Sequence, residues 1–180
     1  MAEIAEKAFA IPGRVRLEEL EVLVEWAKQV PVGKWIVEIG SLYGRSAIAL
    51  AMASQAMVVA IDNFSDRHEA HRQPSILQLQ TNLRESGVHN VLIWDIDSTE
   101  AGKVWQKSID LLFVDGGHKY EQAKSDMQLF GPWAKSTIIV HDYGYITSVK
   151  TAVDEWLAEH TEWTMHSTPE TLAVLRRKPC

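Results

Sequence analysis

The chain has 180 residues, of which 46% are hydrophobic and 23% are charged, and its formal net charge at pH 7 is -6. This length and composition favour one globular domain with one substantial core. The negative charge excludes a surface built for nucleic acid, because binding to phosphates needs clustered lysine and arginine side chains.

The cysteine content and the N-terminal residues limit the cellular setting. Cys180 is the only cysteine, which excludes an intramolecular disulfide and a multi-cysteine metal site. Residues 1–9 lack the basic and apolar regions of a signal peptide, and no later stretch reaches membrane-spanning length. We therefore expect a soluble, cytoplasmic protein without a membrane partner.

Segments rich in Val, Ile and Leu alternate with longer segments of helical periodicity, which is typical of an α/β fold with a parallel sheet. An amphipathic helix is predicted ahead of the first strand, over residues 17–30. The predicted strands, each expected to be buried on both faces, are 35–39, 57–61, 91–95, 111–114 and 137–141. The predicted helices that follow them are 45–54, 75–85, 99–106, 120–130 and 148–160.

The last two strand-like segments, 163–167 and 172–176, are joined by a link too short for a helix and therefore indicate an antiparallel pair. The prediction is a Rossmann-like α/β three-layer fold, with a seven-stranded, mostly parallel sheet that ends in an antiparallel hairpin. Residues 1–180 are expected to form one domain. Within it, a helical cap over 1–33 covers an edge of the 34–180 core or the mouth of its site.

The first strand runs through a glycine turn into a helix over residues 37–46, which is where a ligand binds in such folds. Gly40 and Gly44 permit positive φ and a close approach to the backbone. Neither G-x-G-x-x-G nor a P-loop occurs, which disfavours dinucleotides and pyrophosphate. Glu38, just before the turn, suits a cationic or amine-bearing ligand. The alternative is that both glycines serve only the geometry of the turn.

An aspartate ends the second strand, 22 positions after Gly40. This residue, Asp62, has the spacing of a carboxylate that accepts hydrogen bonds from ribose hydroxyls. The alternative is an aspartate that caps the following helix.

Acidic and histidine residues follow the fourth and fifth strands. Asp115 and His118 follow the fourth strand, His141 is the last residue of the fifth, and Asp142 follows it. The carboxyl ends of these strands adjoin one crevice, so the four side chains should converge there. One aspartate or one histidine would more often be structural, but the combination indicates a functional site.

Two motifs carry a resemblance to a known family. The string E-I-G-S-x-x-G-x-S over residues 38–46 resembles the first motif of class I S-adenosylmethionine-dependent methyltransferases. The string F-V-D-G-G-H-x-Y-E, followed by I-V-H-D-Y, resembles a subfamily that includes small O-methyltransferases and relatives of cephalosporin-biosynthesis enzymes. The resemblance covers residues 34–145 and implies S-adenosylmethionine as the cofactor.

The resemblance also implies where the cofactor lies. The glycine loop would face its methionine portion, Asp62 its ribose, and Asp97 the exocyclic amine of its adenine. Ser98, beside Asp97, could equally be a helix cap. The implied cofactor-binding residues are Glu38, Gly40, Ser41, Gly44, Ser46, Asp62, Asn63, Asp97, Ser98 and Asp115.

Related O-methyltransferases hold a divalent cation between acids at the ends of strands four and five, which implies Asp115 and Asp142 as ligands of Mg²⁺. The sequence departs from the catechol-type pattern at Tyr143, where that branch has an asparagine ligand. Without a metal, His118 or His141 would be the general base. We place His118 first, because the two glycines before it give its backbone freedom.

The predicted reaction is O-methylation of a small-molecule acceptor by in-line methyl transfer, with Asp115, His118 and His141 as the catalytic residues. Tyr143 and Tyr145 are expected near the site. Acceptor specificity is expected from the N-terminal helix and the polar loop 63–74, and a homo-oligomer could complete the acceptor pocket. The alternatives are a non-catalytic S-adenosylmethionine-binding scaffold and a nicotinamide-dependent oxidoreductase, which the missing G-x-G-x-x-G opposes.

Overall fold

A computed structural model describes residues 1–65 and 75–179. Over these residues the chain forms seven strands and seven α-helices. The strands are β1 (Trp35–Ile39), β2 (Met57–Asp62), β3 (Val91–Asp95), β4 (Ile109–Val114), β5 (Ala134–Val140), β6 (Trp163–Ser167) and β7 (Ala173–Arg177). The helices are α1 (Ala2–Phe9), α2 (Leu17–Ala27), α3 (Arg45–Ala53), α4 (Ile76–Glu85), α5 (Ser98–Val104), α6 (Tyr120–Phe130) and α7 (Thr147–Glu159). A short 3-10 helix, Gly131–Trp133, follows α6.

The sheet has the strand order β3-β2-β1-β4-β5-β7-β6. The strands β1 to β5 run parallel to one another, while β7 is antiparallel to both β5 and β6. This arrangement confirms the predicted Rossmann-like fold and its C-terminal antiparallel hairpin. The strand order reverses between β1 and β4, and ligands of open α/β sheets bind beyond the carboxyl ends of the strands at such a point.

Helices cover both faces of the sheet and give three layers. On one face α5, α6 and α7 bury a cluster that includes Trp105, Phe130 and Trp156. On the other face α1 to α4 bury a second cluster that includes Leu23 and Phe113. Both clusters exclude water from large apolar side chains, which is the main favourable contribution to folding. The N-terminal helices α1 and α2 thus pack on the same face as α3 and form part of a layer.

Three details differ from the sequence prediction. β3 is an edge strand, with Leu92 43% exposed, so the expectation that all five strands are buried on both faces is wrong for β3. The helix predicted over 17–30 ends at Ala27, and the predicted helical cap contains a second helix, α1, for which no bounds were predicted. Among the described residues, no helix is long and apolar enough to cross a bilayer. Residues 66–74, most of the polar loop predicted to influence acceptor choice, lie outside the described part of the chain.

Candidate active site

The loop between β1 and α3 depends on backbone conformations that favour glycine. Gly40 and Gly44 have φ of +88° and +89°, a region that residues with a Cβ seldom adopt. A Cβ on Gly40 would overlap the carbonyl oxygen of Asp115, and one on Gly44 would overlap the side chain of Leu79. The two glycines therefore let the loop lie directly against the end of β4 and against α4.

Polar contacts also hold this glycine loop in place. The amide of Gly40 donates to the carbonyl oxygen of Ile61 at 2.8 Å. From α4, the buried amide side chain of Asn82 donates to the carbonyl oxygen of Tyr43 at 2.8 Å. The loop is thus fixed between β2 and α4, so its backbone is organised before any ligand arrives.

Asp62, at the end of β2, is the third support of the loop. Its carboxylate accepts from the amide of Leu42 at 2.7 Å and from the amide of Phe64 at 2.6 Å. These contacts hold the carboxylate at the border of the cavity. Asp62 is not the cap of α4, the next helix within the described residues, because Ser75 caps α4 by accepting from the amide of Gln78.

A second acid lies beside Asp62, after β3. Asp97 accepts from the side-chain amide of Asn63 at 3.1 Å and from the backbone amide of Thr99 at 2.9 Å. Asp97 is therefore the N-cap of α5, and the alternative that Ser98 is the cap is wrong: Ser98 is the first residue of that helix. Asn63, Asp97 and Ser98 thus lie together at the carboxyl ends of β2 and β3.

These elements surround a cavity of about 650 Å³ at the predicted position. The predicted site residues that line it are Gly40, Ser41, Ser46, Asp62, Asn63, Asp97, Ser98, Asp115 and His118. Sequence reasoning missed part of the wall, namely residues 12–15 between α1 and α2, together with Arg45, Lys119 and Gln122. The cavity thus contains carboxylates at the ends of β2 and β4 and cationic side chains from α3 and from the loop after β4.

Glu38 does not line this cavity, which corrects the prediction that it faces the ligand directly. Its side chain is fully buried below the glycine loop, and neither of its carboxylate oxygens has a hydrogen-bond partner among the described residues. Burial raises the pKa of Glu38 to about 7, and the nearby negative charges of Asp115 and Asp62 act in the same direction. Glu38 therefore lies beneath the glycine loop and has no direct contact with the cavity.

The acids and histidines that follow β4 and β5 converge as the sequence predicts. Nε2 of His118 lies 3.2 Å from Oδ2 of Asp142. Nδ1 of His141 lies 3.0 Å from Oδ1 of Asp115 and 3.3 Å from Oδ2 of Asp142. Asp115, His118 and Asp142 each offer one ligand atom, and these atoms lie within 4.8 Å of one another.

The two histidines differ in their environment. His118 is 39% exposed and borders the cavity, and its carbonyl oxygen accepts a hydrogen bond from Ser148 at the start of α7. His141 is only 7% exposed and does not border the cavity. Burial alone would lower the pKa of His141, but the three carboxylates that face it outweigh this and raise the pKa to about 12.

The position of His141 does not favour a role as the base, because its ring is buried away from the cavity and faces three carboxylates that favour its protonated form. Of the two predicted bases, only His118 combines access to the cavity with a neighbouring carboxylate. His141 instead provides a buried positive charge between the acids that follow β4 and β5.

The third carboxylate beside His141 comes from Glu19 on α2, which sequence reasoning missed. Its Oε2 lies 3.1 Å from Nε2 of His141 and accepts from the backbone amide of Arg16 at 2.8 Å. Its Oε1 accepts from the hydroxyl of Thr171. One signal was present in the sequence: Glu19 precedes Leu23 by one helical turn, so it lies on the apolar face of α2.

The two tyrosines predicted near the site lie elsewhere. The hydroxyl of Tyr143 donates to Oδ1 of Asp154 at 2.8 Å and accepts from Nζ of Lys150 at 2.7 Å. Tyr145 is 80% exposed. Neither of them borders the cavity, because the turn after β5 directs both side chains toward α7 or solvent.

Comparison with solved structures shows the same architecture across the whole chain. The O-methyltransferase NovP aligns with a TM-score of 0.75 and 17% identity, over 99% of this chain and 89% of NovP. The methyltransferase PaMTH1 of Podospora anserina, solved with S-adenosylhomocysteine, aligns with a TM-score of 0.71 and 17% identity, over 98% and 87%. The O-methyltransferase TomG of Streptomyces achromogenes, solved with S-adenosylmethionine, gives 0.67 and 18%, over 99% and 91%. At these identities the likeness establishes the shared fold.

A family model provides the stronger link. The model described as a methyltransferase domain matches residues 37–143, from the first strand through the acids that follow β5. That range includes the glycine loop, Asp62, Asp97 and the cluster around His118. Because the match spans more than half of the chain, the protein belongs to the methyltransferase domain family, which confirms the predicted family and enzyme class.

Proposed function

We propose that this enzyme transfers the methyl group of S-adenosylmethionine to a hydroxyl oxygen of a small-molecule acceptor. The observation that carries the proposal is the single cavity that the glycine loop, Asp62, Asp97 and the Asp115–His118 segment share. The similar structures of TomG and PaMTH1 contain S-adenosylmethionine and its demethylated product, respectively. A nicotinamide-dependent oxidoreductase is not favoured, because the family model is that of a methyltransferase.

The cavity offers matching groups for each part of the cofactor. In our proposal Asp62 accepts from the ribose hydroxyls, and Asp97, with Asn63 and Ser98 beside it, binds the adenine. The loop residues Gly40 and Ser41, together with Ser46, line the position of the methionine portion, whereas Gly44 packs against Leu79 and does not border the cavity. Asp115 attracts the positive charge of the ammonium or sulfonium group, because opposite charges at short range stabilise each other.

The chemical step needs alignment and removal of one proton. The acceptor oxygen attacks the methyl carbon in line with the carbon–sulfur bond, so that a carbon–oxygen bond forms while the sulfur leaves with the bonding electron pair. Holding the two reactants in line supplies several kcal/mol of the rate enhancement. In our proposal His118 takes the hydroxyl proton on Nδ1, and the Asp142 carboxylate beside Nε2 stabilises the resulting imidazolium.

The donor set at the ends of β4 and β5 fits Mg²⁺ poorly. A hard cation prefers an octahedron of oxygen ligands, but this site offers two carboxylates and one histidine nitrogen. Both carboxylates already face the buried positive charge of His141, and the Tyr143 hydroxyl binds Asp154. We therefore propose that Asp115 and Asp142 are held by His141 and that the reaction uses His118 as the base.

Titration calorimetry with S-adenosylmethionine and S-adenosylhomocysteine tests the cofactor assignment. We expect both compounds to bind the wild type, and Asp62→Asn to weaken binding about tenfold or more, because hydrogen bonds to a charged acceptor are lost. The matched control is Asp95→Asn, an exposed aspartate at the end of β3 that does not border the cavity. If neither compound binds the wild type, the cofactor assignment is wrong.

The remaining alternative is a protein that binds the cofactor without catalysis. It shares every cofactor contact with our proposal and differs at His118. Formation of S-adenosylhomocysteine with hydroxyl-bearing acceptors supports the enzyme, whereas cofactor binding without turnover for any acceptor supports the scaffold. Light scattering tests the prediction of a homo-oligomer in the same samples.

A further inference from the structure

Arg45, the first residue of α3, contacts the chain between α1 and α2. Its Nε donates to the carbonyl oxygen of Ile11, and its Nη1 donates to the carbonyl oxygen of Val15, each at 2.7 Å. Its guanidinium carbon also lies 4.6 Å from the centre of the Phe9 ring. One side chain thus binds both ends of a five-residue stretch and the last residue of α1.

The stretch closes tightly around this side chain. A Cβ on Gly13 would lie 3.0 Å from both Cβ and Nε of Arg45, so residues 11–15 leave little room beside the arginine. Two donor nitrogens held in one rigid plane suit two carbonyl oxygens at a fixed separation, and among the side chains a charged plane with several donor nitrogens belongs to arginine alone. We call residues 10–16, which join α1 to α2, the connecting segment.

The connecting segment forms part of the wall of the cavity. Residues 12–15 border the cavity, and so does Arg45, the residue that binds them. Arg45 also follows Gly44 directly, so it belongs to both the glycine loop and the start of α3. The side chain therefore connects the loop that would hold the methionine portion to the wall that faces it.

We propose that Arg45 is a positioning residue that holds the connecting segment as a wall of the cofactor cavity, so that cofactor binding and ordering of the segment are coupled. The inference rests on the proposed assignment of the cavity to S-adenosylmethionine and extends it to a residue outside the predicted site. The arginine acts through the backbone carbonyls of Ile11 and Val15. A bound cofactor then contacts residues on both sides of this link and stabilises the closed wall.

Substitutions of Arg45 distinguish its contact with the connecting segment from an effect on the stability of the whole fold. Arg45→Lys keeps the charge but has its donors on one nitrogen, while Arg45→Gln removes the charge and leaves a shorter side chain that also donates from one nitrogen only. We expect S-adenosylhomocysteine to bind Arg45→Gln about tenfold or more weakly than the wild type, with Arg45→Lys in between, because charge-assisted hydrogen bonds are lost. Gly13→Ala crowds the same contact from the other side and should weaken binding in the same direction. Arg84→Lys, an exposed arginine on α4, is the matched control.

Protection against trypsin by a bound ligand provides a readout that distinguishes coupling from a general loss of stability, which would speed cleavage with and without the ligand alike. Trypsin cleaves after Arg14 and Arg16, which lie within the connecting segment, and mass spectrometry identifies the fragments. In the wild type we expect S-adenosylhomocysteine to slow cleavage at these two bonds. In Arg45→Gln the bonds should be cut faster, and the ligand should protect them much less even at concentrations that saturate the variant.

The outcomes distinguish this inference from the function on which it rests. Wild-type binding, with weaker binding and lost protection in Arg45→Gln, supports the coupling. Wild-type binding with equal affinity and equal protection in Arg45→Gln rejects the coupling and leaves the proposed function intact. Absence of binding by the wild type rejects the proposed function and the coupling together.

Discussion

Nε2 of His141 lies 3.1 Å from Oε2 of Glu19, so the N-terminal helix α2 reaches the residue that follows β5. Both side chains are almost completely buried, at 7% and 1% exposure. The opposite ring nitrogen of His141 faces Asp115 and Asp142. Glu19 therefore fixes the orientation of an imidazolium whose other side neutralises the acids of the candidate site.

Replacing Glu19 should destabilise the fold strongly. Glu19→Ala leaves the charge of His141 buried with one fewer carboxylate, and breaking a buried pair in this way costs about 3–5 kcal/mol. Urea denaturation measures the loss. Thr171→Val is the control, since it removes only one hydroxyl donor to Glu19 and should cost about 1 kcal/mol.

The pH dependence of that loss follows from the pKa of Glu19. Burial would raise this pKa, but hydrogen bonds from His141, Thr171 and Arg16 outweigh burial and hold it below the ordinary value of 4.5. A lowered pKa stabilises the folded state above the unfolded value, and this stabilisation is lost as the pH falls. The difference between the wild type and Glu19→Ala should therefore be full at neutral pH and shrink in acid. A difference that grows in acid would contradict this account.

His118→Asn should abolish most turnover and leave cofactor binding intact. Removing a general base lowers the rate about 10²-fold to 10⁴-fold, while the proposed cofactor contacts at Asp62 and Asp97 are untouched. The rate of S-adenosylhomocysteine formation measures turnover, and calorimetry measures the affinity of the variant for S-adenosylhomocysteine. His89→Asn, an exposed histidine after α4, is the matched control. Unchanged turnover in His118→Asn would remove the base assignment.

Turnover and S-adenosylhomocysteine affinity should be the same in excess chelator and in added Mg²⁺. The reason is that His141 already supplies positive charge between Asp115 and Asp142. Parallel assays with and without chelator check this, and Ca²⁺ and Mn²⁺ extend the comparison to other hard cations. Loss of activity in chelator that Mg²⁺ restores would show that the two acids hold a metal after all.

Glu38→Gln should change stability in a pH-dependent way. The folded state raises the pKa of Glu38 from 4.5 to about 7, so the folded state keeps a proton that the unfolded state releases. Stability therefore falls as the pH rises from about 4.5 to about 7. Glutamine cannot ionise and avoids this loss, which amounts to at most about 3 kcal/mol.

Thermal unfolding at several pH values checks this prediction. Glu38→Gln should gain on the wild type between pH 5 and pH 8 and show no relative gain below pH 4. Asp110→Asn is a control, because Asp110 is an acid far from the cavity. It lies at the opposite end of the sheet, where it accepts from the amide of Trp35. A constant difference between Glu38→Gln and the wild type at all pH values would show that Glu38 does not ionise as described.

Much of the fold was predictable because its signals are local. The alternation of apolar runs and helical patterns identified the strands, and the short link after Ser167 identified the hairpin. The exposure of Leu92 was not predictable in this way, since it depends on β3 lying at an edge of the sheet. Edge position is a property of strand order, which no single segment encodes.

In the candidate site, too, the local features were predictable from the sequence and the contacts between distant residues were not. The glycine loop, Asp62 and the convergence of Asp115, His118 and Asp142 follow from where strands end. The charge on His141 does not, because its partner Glu19 is 122 positions away in the sequence. The usual sign of a capping box, a serine or threonine at the N-cap, is also missing, since Arg16 occupies that position.

The position of β7 has a consequence for how the chain acquires its structure. β7 lies between β5 and β6, and its residues Ala173, Val174 and Leu175 are fully buried. During synthesis on a ribosome, β1 to β5 emerge first and can pair in parallel, but β6 has no place in the sheet until β7 has entered beside β5. Because β7 is synthesised after both strands that it pairs with, maturation of this enzyme should end with insertion of β7, the step that also brings Thr171 to Glu19.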